Sequence, residues 1–383
     1  MKRILFIATT NLNERSGGSL AALAYYNAFQ NKFNKIVDLA LPEEFCIGIY
    51  KNAIPVPRRN KIIAYIDLFK GRLHRYKDFF NKFLTINANN YDLAVINGGI
   101  NAGDMIDMFQ SYGLKVIVIH HNYEPEYQMD NKTNRTIWGL TPYFVAKNER
   151  NAYKQADLNA YLTKSDIKLH QTHYGKSKTE PYLLGTFEPQ KEEIIWRNEP
   201  KRLESHKNII ITGSMDSVQT VRGILDFKEN YFPIFRKLLP DWKIIIAGRN
   251  PDSRILDFVN KNPDCISIIP NPQNINDVIA MGNIFLCPTN VGGGLKLRLM
   301  DGLRNGLLIL THEVSARGYE VFHNQPFFQI YKDKKTFAQS LSLLTAFYNS
   351  NEEYYSKICS IYHSYFSFEA GCKRVNEMIS LLK

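Results

Sequence analysis

Residues 283–312, NIFLCPTNVGGGLKLRLMDGLRNGLLILTH, decide the fold, because their pattern predicts a strand, a loop, a helix and a second strand in that order. The apolar stretches 284–287 and 307–310 are the two predicted strands. Between them, Gly292, Gly293 and Gly294 allow the backbone to approach a ligand that a Cβ would exclude. The helix after the loop would begin with free N–H groups, which favour a phosphate. An ordinary loop that enters a solvated basic helix is an equally good interpretation of this motif alone.

Three charged residues give this motif its chemistry. Lys296 and Arg298 are predicted in the first turn of the helix, where cations oppose the helix dipole, so we expect an anionic ligand to offset them. Asp301 follows one turn later, where a carboxylate can accept hydrogen bonds from hydroxyl groups such as those of a ribose.

Short apolar segments alternate with helical patterns along both halves of the chain, which is typical of parallel sheets covered on both faces. We therefore predict the α/β class, with two Rossmann-like, doubly wound parallel-sheet domains. The predicted strands of the first half are 3–8, 36–41, 93–96, 116–120 and 158–162, and those of the second half are 209–212, 243–247, 266–269, 284–287 and 307–310.

The same pattern predicts the domain boundaries. Residues 1–187 form the first domain, and the charged stretch 188–207, which contains Pro189 and Pro200, forms a linker or exposed hairpin. Residues 208–365 form the second domain, and 366–383 form a C-terminal helix that crosses back onto the first.

Composition narrows the class of protein. The chain has 383 residues, of which 44% are hydrophobic, so it can bury the cores of two domains. Its five cysteines lack metal-binding spacing, which indicates reduced thiols in a cytoplasmic protein. We find no signal peptide and no apolar run of the ~20 residues that a membrane span needs.

The formal net charge of +11 is partly concentrated in residues 58–82, where Lys and Arg outnumber Asp and aromatic residues recur at helical spacing. Such a helix suits an anionic membrane surface, which would place the protein at the inner face of the cell membrane. Docking of the aromatic stripe onto a core is the other interpretation. We expect no nucleic-acid partner, because no recognised binding motif accompanies the charge.

Other candidate residues follow predicted strands, where ligands bind in parallel sheets. Gly17 and Gly18 lead into a helix after the first strand and form a possible phosphate or acceptor loop. The segment HHNYEPE at 120–126 offers His121 for contact with a sugar or a proton, whereas His120 is expected to be packed. We expect no metal site there, since no third conventional ligand is near in sequence. Ser214 and Arg249 follow two strands of the second half and could bind phosphate.

Together these motifs resemble glycosyltransferase family 4, whose members have the GT-B fold. The resemblance rests on TGSMDSVQTVRGILDFKENYFPIFRKLLPDWKIIIAGRNP at 212–251 and NVGGGLKLRLMDGLRNGLLILT at 290–311, which are similar to a branch with GSMDW-type and GGGTRLKxLEA-type motifs. HNYE at 121–124, Glu149-Arg150 and Ser165-Asp166 occur in the same order as in that branch. The first glutamate of the usual motif falls on Gly293, and Asp301 stands where the second would be.

The resemblance implies transfer of a sugar from a nucleoside diphosphate sugar to an acceptor, with retention of configuration and without a metal or another cofactor. It implies that Asp301 holds the ribose, that Gly293 and Gly294 face the diphosphate, that Lys296 and Arg298 match the basic pair of the loop, and that His121 lies on the acceptor side. The expected partners are a nucleotide sugar and a saccharide or lipid-linked acceptor. A non-catalytic subunit of the same fold is the alternative, favoured by Gly293 and Asp301.

Overall fold

The computed structural model describes residues 3–13, 16–32, 37–57, 76–131, 141–190, 207–350 and 354–382. By contacts, the chain divides into two compact units. The first comprises residues 1–192, 293–295 and 366–383, and the second comprises residues 193–292 and 296–365.

The first unit contains a sheet of seven parallel strands in the order β3-β2-β1-β4-β5-β6-β7. This order places β1 next to β4, so the chain reverses direction across the sheet at that pair, where parallel sheets bind ligands. The strands are β1 (Arg3–Ala8), β2 (Val37–Pro42), β3 (Ile54–Val56), β4 (Tyr91–Asn97), β5 (Lys115–His120), β6 (Leu158–Tyr161) and β7 (Tyr182–Leu183). The helices are α1 (Gly17–Lys32), α2 (Lys77–Asn87), α3 (Ile106–Ser111), α4 (Glu124–Asn131), α5 (Thr141–Gln155) and α6 (Lys164–Tyr174).

Both faces of this sheet are buried, as the apolar strands require. Along β1, Ile4 and Phe6 pack into the core beneath α1, whereas Leu5 and Ile7 pack into the core on the opposite face. This alternation follows from the two-residue period of a strand.

The second unit contains six parallel strands in the order β10-β9-β8-β11-β12-β13. Its strands are β8 (Asn208–Thr212), β9 (Lys243–Gly248), β10 (Ile266–Pro270), β11 (Ile284–Cys287), β12 (Leu308–His312) and β13 (Phe328–Tyr331). Its helices are α7 (Val218–Asp226), α8 (Phe232–Leu238), α9 (Ser253–Asn260), α10 (Ile275–Ile279), α11 (Arg298–Arg304), α12 (Lys334–Ser350) and α13 (Tyr354–Phe366). The prediction of two Rossmann-like parallel-sheet domains is confirmed.

Three strands were not predicted from the sequence. β3 has three residues with Pro55 in the middle, and β7 has two residues, so neither is long enough to show a pattern. Pro55 is tolerated because β3 lies at the edge of the sheet. The third, β13, is the edge strand that follows β12 in the second sheet.

The helix α6 has a side-chain cap at its N-terminus. It begins at Lys164 and is capped by Thr163, whose side-chain oxygen accepts from the N–H of Asp166 at 3.1 Å. A side-chain oxygen at this position can reach the third N–H of the helix.

The last helix, α14 (Phe368–Ser380), belongs to the first unit and packs on α1. Phe368, Val375 and Met378 are buried in the core that α1 also covers. Arg374 ties the helix to the chain after β7, because its Nε donates to the carbonyl oxygen of Leu184 at 2.7 Å.

Most of the basic segment 58–82 lies outside the described residues, as does most of the linker 188–207. At the described end of the basic segment, Tyr76 and Phe80 are fully buried in the core beside α2. The aromatic stripe therefore docks onto the core at this end. Among the described helices, none has the length and apolar character needed to cross a membrane.

Candidate functional site

The carboxyl ends of β8 and β9 approach each other more closely than any residue with a side chain would allow. The N–H of Gly213 donates to the carbonyl oxygen of Ala247 at 3.1 Å. A Cβ on Gly248 would lie only 1.7 Å from the carbonyl oxygen of Gly213. Both turns therefore depend on glycine, and they bring the loops after the two strands together.

Arg298 is anchored at the end of β8. Its Nη1 donates to the carbonyl oxygen of Thr212 at 3.1 Å, and its Nη2 donates to the hydroxyl oxygen of Thr220 at 2.9 Å. Gly213 makes room for the guanidinium, since a Cβ there would lie 2.6 Å from Nη1. These two bonds hold a permanent positive charge at the strand end in one orientation.

Lys296 is fixed against the glycine loop. The side chain is buried, and Nζ donates to the carbonyl oxygen of Gly292 at 3.1 Å and to Oε1 of Gln219 at 3.3 Å. Gly292 has φ +89°, and a Cβ there would lie 2.3 Å from Nε2 of Gln219. The positive φ therefore favours glycine here, and a side chain would also displace the amide of Gln219.

The predicted place of Lys296 in the first helical turn is wrong. The helix α11 begins at Arg298 and has seven residues, with Leu297 as its cap, so Lys296 lies in the loop before it. The carbonyl oxygen of Lys296 accepts instead from the hydroxyl of Tyr319 at 2.9 Å. Positive charge at this site is therefore carried by side chains more than by a long helix dipole.

Gly293 and Gly294 continue the loop, and both are buried. Gly294 has φ +70°, which an L-residue rarely adopts. The backbone of this loop is therefore set by its glycines.

Asp301 lies one turn into α11 and is partly exposed. Its Oδ1 accepts from Nη2 of Arg304 at 2.9 Å, and the same Nη2 lies 3.3 Å from Oδ1 of Asn276 in α10. Nδ2 of Asn305 donates to the carbonyl oxygen of Asp301 at 2.8 Å. The carboxylate is therefore oriented by a neighbouring cation while it still faces solvent.

Ser214 and Arg249 contact each other across the two glycine turns. Nη2 of Arg249 donates to Oγ of Ser214 at 3.3 Å. The backbone supports this contact, because the N–H of Met215 donates to the carbonyl oxygen of Arg249 at 2.8 Å. Arg249 is exposed, so its guanidinium is available to solvent.

In the first unit, His121 follows the end of β5. Its Nε2 lies 2.7 Å from Oδ1 of buried Asn97, the last residue of β4. Because that oxygen only accepts, Nε2 carries the proton and Nδ1 keeps its lone pair. Burial lowers the pKa of His121 to about 4, so the imidazole is neutral near pH 7.

The predicted glycine pair Gly17 and Gly18 opens α1 after the end of β1. A Cβ on Gly18 would meet nothing within 4 Å. The helix start is organised by Ser16, whose Oγ accepts from the N–H of Ser19 at 3.3 Å. This glycine therefore leaves open space at the strand end, and packing does not require it.

Sequence reasoning missed a buried polar cluster in the first unit. His120, Glu149 and His170 are each at most 1% exposed, although they come from β5, α5 and α6. The expectation that His120 is packed fits its burial, whereas Glu149 had no predicted role beyond its place in the order of the motifs. Glu149 and His170 each occupy a core-facing position of a helix. A polar residue at such a position in a helical pattern is the signal that could have revealed the cluster.

Within the second unit, the structure thus brings Arg298 to the end of β8, Arg249 to Ser214, and Lys296 to Gly292. Asp301 is linked instead to Arg304 and α10. His121, Gly17 and Gly18 belong to the first unit, at the carboxyl ends of its strands.

No family model matches this chain. Over 125 residues, the chain is 26% identical to a Klebsiella pneumoniae protein described as an uncharacterized 44.6 kDa protein in the cps region. That match covers 31% of this chain and 32% of the relative's own length.

Solved structures resemble the chain over almost its full length. Sucrose-phosphate synthase from Thermosynechococcus elongatus has a TM-score of 0.72 at 11% identity, with coverage of 100% of this chain and 99% of that one. HepE from Anabaena, in complex with UDP, has a TM-score of 0.69 at 10% identity, with 99% of both chains covered; HepE was also solved with UDP-glucose. The lipopolysaccharide outer core galactosyltransferase WaaB has a TM-score of 0.68 at 12% identity, with 99% of both chains covered.

The two parallel sheets and these likenesses define the fold as that of the GT-B glycosyltransferases. At 10–12% identity, the likeness establishes the fold of the chain. The activity is therefore argued from the residues of the site.

Proposed function

We propose that this protein is a glycosyltransferase that moves a sugar from a nucleoside diphosphate sugar to a saccharide or lipid-linked acceptor. The observation that carries the proposal is the fixed positive charge in the second unit. Arg298 is anchored at the end of β8, and Lys296 is buried against the glycine loop. Cations held in place at the carboxyl ends of parallel strands suit a bound diphosphate.

Sugar transfer requires little from the protein beyond the positive charge of these side chains. The bond between the sugar and the diphosphate breaks, and the departing diphosphate develops negative charge that Arg298, Lys296 and Arg249 would stabilise. In a retaining reaction, the acceptor oxygen attacks from the same face, and its proton passes to the departing phosphate oxygen. This scheme needs no metal at the donor site and no other cofactor.

The other donor contacts follow the resemblance to glycosyltransferase family 4. Asp301 would accept hydrogen bonds from the ribose hydroxyls, and Arg304 would orient the carboxylate. Ser214 would donate to a phosphate oxygen, while the backbone around Gly293 and Gly294 would face the diphosphate and the donor sugar.

We assign the acceptor to the first unit. His121 would accept a hydrogen bond from the acceptor hydroxyl through Nδ1, because Asn97 keeps the proton on Nε2. The open space beside Gly18 would admit part of the acceptor or a phosphate. An imidazole with a lowered pKa serves here for positioning more than for strong base catalysis.

We further propose that the product is a polysaccharide or another cell-envelope glycan. The cps region in the description of the Klebsiella relative and the lipopolysaccharide in the name of WaaB support this assignment. The protein would act in the cytoplasm, with the basic side chains of residues 58–82 attaching it to the anionic inner face of the membrane.

Equilibrium binding tests the donor site directly. Wild-type protein would be titrated with UDP, GDP, ADP and the three matching nucleosides. We expect at least one diphosphate to bind about tenfold or more tightly than its nucleoside, since charge-assisted bonds to the phosphates are each worth roughly 1.5–3 kcal/mol. Equal affinity for every diphosphate and its nucleoside would contradict the proposal.

A non-catalytic GT-B subunit is the second candidate. Two observations favour it: Gly293 replaces the first glutamate of the usual motif, and the carboxylate of Asp301 already bonds to Arg304. Such a subunit would bind glycan without consuming any nucleotide sugar, so a turnover assay separates the two functions.

A further inference from the structure

The buried cluster of His120, Glu149 and His170 has the composition of a metal site. One ligand atom from each residue lies within 4.8 Å of the others. The three residues are at most 1% exposed, and three different elements of the first unit supply them. Two imidazoles and a carboxylate are the protein ligands of one known kind of Zn²⁺ site, in which a water or a substrate fills the fourth position.

The hydrogen bonds of the two histidines leave one lone pair on each ring. Nδ1 of His170 lies 2.9 Å from the carbonyl oxygen of Asp166, which only accepts, so Nδ1 carries the proton. Nε2 of His120 lies 2.9 Å from Oδ1 of Asn159, and that amide is oriented because its Nδ2 donates to the carbonyl oxygen of Tyr153 at 2.9 Å. Metal-binding histidines characteristically donate their second ring N–H in this way.

The remaining nitrogens are buried without a hydrogen-bond partner among the described residues. These are Nδ1 of His120 and Nε2 of His170, and the buried hydroxyl of Tyr161 also lacks a partner. The ring of Tyr161 stacks on His120, with centroids 4.8 Å apart. Gly99 packs against the Nδ1 edge of His120, since a Cβ there would lie 2.4 Å from that nitrogen.

The carboxylate faces one of these lone pairs. Oε1 of Glu149 lies 3.4 Å from Nε2 of His170 and accepts from the N–H of Glu124 at 3.1 Å, while Oε2 accepts from the hydroxyl of Tyr174 at 3.0 Å. Two acceptors at that separation repel each other unless a cation or a proton lies between them. The cluster therefore requires one of the two.

We propose that His120, Glu149 and His170 bind a Zn²⁺ that ties β5 to α5 and α6, with a water molecule as the fourth ligand. Zinc lies about 2.0–2.2 Å from nitrogen and oxygen ligands, so the ligand atoms around one zinc are roughly 3–4 Å apart. Binding would therefore bring the most widely separated ligand atoms of this cluster about 1 Å closer together. This site belongs to the first unit, so it is separate from the metal-independent chemistry proposed for the donor residues of the second unit and does not depend on it.

The wild-type chain gives the first test. Untagged full-length protein, purified and dialysed without added metal, is measured by elemental mass spectrometry. We expect about one zinc per chain. Removing the metal with a chelator should lower the thermal unfolding temperature, and adding Zn²⁺ alone should restore it.

Two variants and one control locate the metal. Glu149→Gln keeps the shape of the side chain but loses its charge, and His170→Gln removes one imidazole. Each should weaken zinc binding by tenfold or more. His173→Gln is the matched control, because His173 lies on the same helix but is exposed, and its zinc affinity should equal that of wild type.

Wild-type protein without stoichiometric zinc, and with an unfolding temperature unchanged by chelator and by Zn²⁺, would overturn the proposal. The cluster would then contain a proton between Glu149 and His170. Zinc bound equally well by Glu149→Gln and wild type would also overturn it. If a variant does not fold, stripping and reloading the wild-type chain decides the question alone.

Discussion

Nη1 of Arg298 donates to the carbonyl oxygen of Thr212 at 3.1 Å, which ties the first residue of α11 to the carboxyl end of β8. If this charge binds the diphosphate, Arg298→Ala should lower turnover at least tenfold and remove most of the preference for diphosphate over nucleoside. The turnover of Arg298→Lys should lie between those of wild type and Arg298→Ala, since lysine keeps the charge but loses the paired N–H groups. Steady-state kinetics and titration calorimetry measure the two effects.

Thr220→Val is the matched control for Arg298. It removes one anchoring bond at 2.9 Å but leaves the guanidinium in the protein. Turnover should fall less than in Arg298→Ala, because Thr220→Val loses one bond to a charged group but keeps the positive charge and the bond to Thr212. Wild-type activity in Arg298→Ala would show that Arg298 does not bind the diphosphate.

The proposed contact between Asp301 and the ribose hydroxyls can be tested by substitution. Asp301→Ala should weaken binding of the preferred nucleoside diphosphate by about tenfold, because the carboxylate would no longer accept from the ribose hydroxyls. The same variant should bind the 2′,3′-dideoxy nucleotide as wild type does. Asp301→Glu should retain binding, since it keeps the charge and adds one methylene of reach. An equal loss for both nucleotides would indicate that Asp301 acts only by positioning Arg304.

The proposed contact between His121 and the acceptor predicts a loss of turnover without a loss of nucleotide affinity. His121→Ala should lower turnover by about tenfold or more, while the dissociation constant of the nucleotide stays within twofold, because the proposed donor residues belong to the second unit. Asn97→Leu should give a smaller loss, since it removes the bond that sets the tautomer. A change in nucleotide affinity without a change in turnover would contradict the acceptor role.

The glycine contact between β8 and β9 predicts a stability effect. Gly248→Ala should destabilise the second unit by about 3 kcal/mol, because the new methyl group would overlap the carbonyl oxygen of Gly213. Gly18→Ala is the control, since its methyl group would meet nothing within 4 Å and should change stability by less than about 0.5 kcal/mol. Urea unfolding of both variants gives the comparison, and equal midpoints would show that the strand ends can separate without cost.

The sequence predicted the central strands and the glycine loop because long apolar runs and repeated glycines are local signals. It could not place Lys296, since the start of a seven-residue helix depends on the bonds that Lys296 makes to Gly292 and Gln219. It could not reveal the cluster of His120, Glu149 and His170, because residues 21 to 50 positions apart meet only through sheet order and helix packing. The edge strands β3 and β7 were too short to predict.

The most direct test of the account is a donor screen with the wild-type protein. The chain is incubated with a panel of nucleotide sugars and candidate saccharide and lipid-linked acceptors, and mass spectrometry records both products. We predict that one donor releases its nucleoside diphosphate together with an acceptor heavier by one sugar, and that Arg298→Ala forms both products at least tenfold more slowly. Glycan binding without release of nucleotide above buffer from any donor would contradict the transferase function and identify a non-catalytic GT-B subunit.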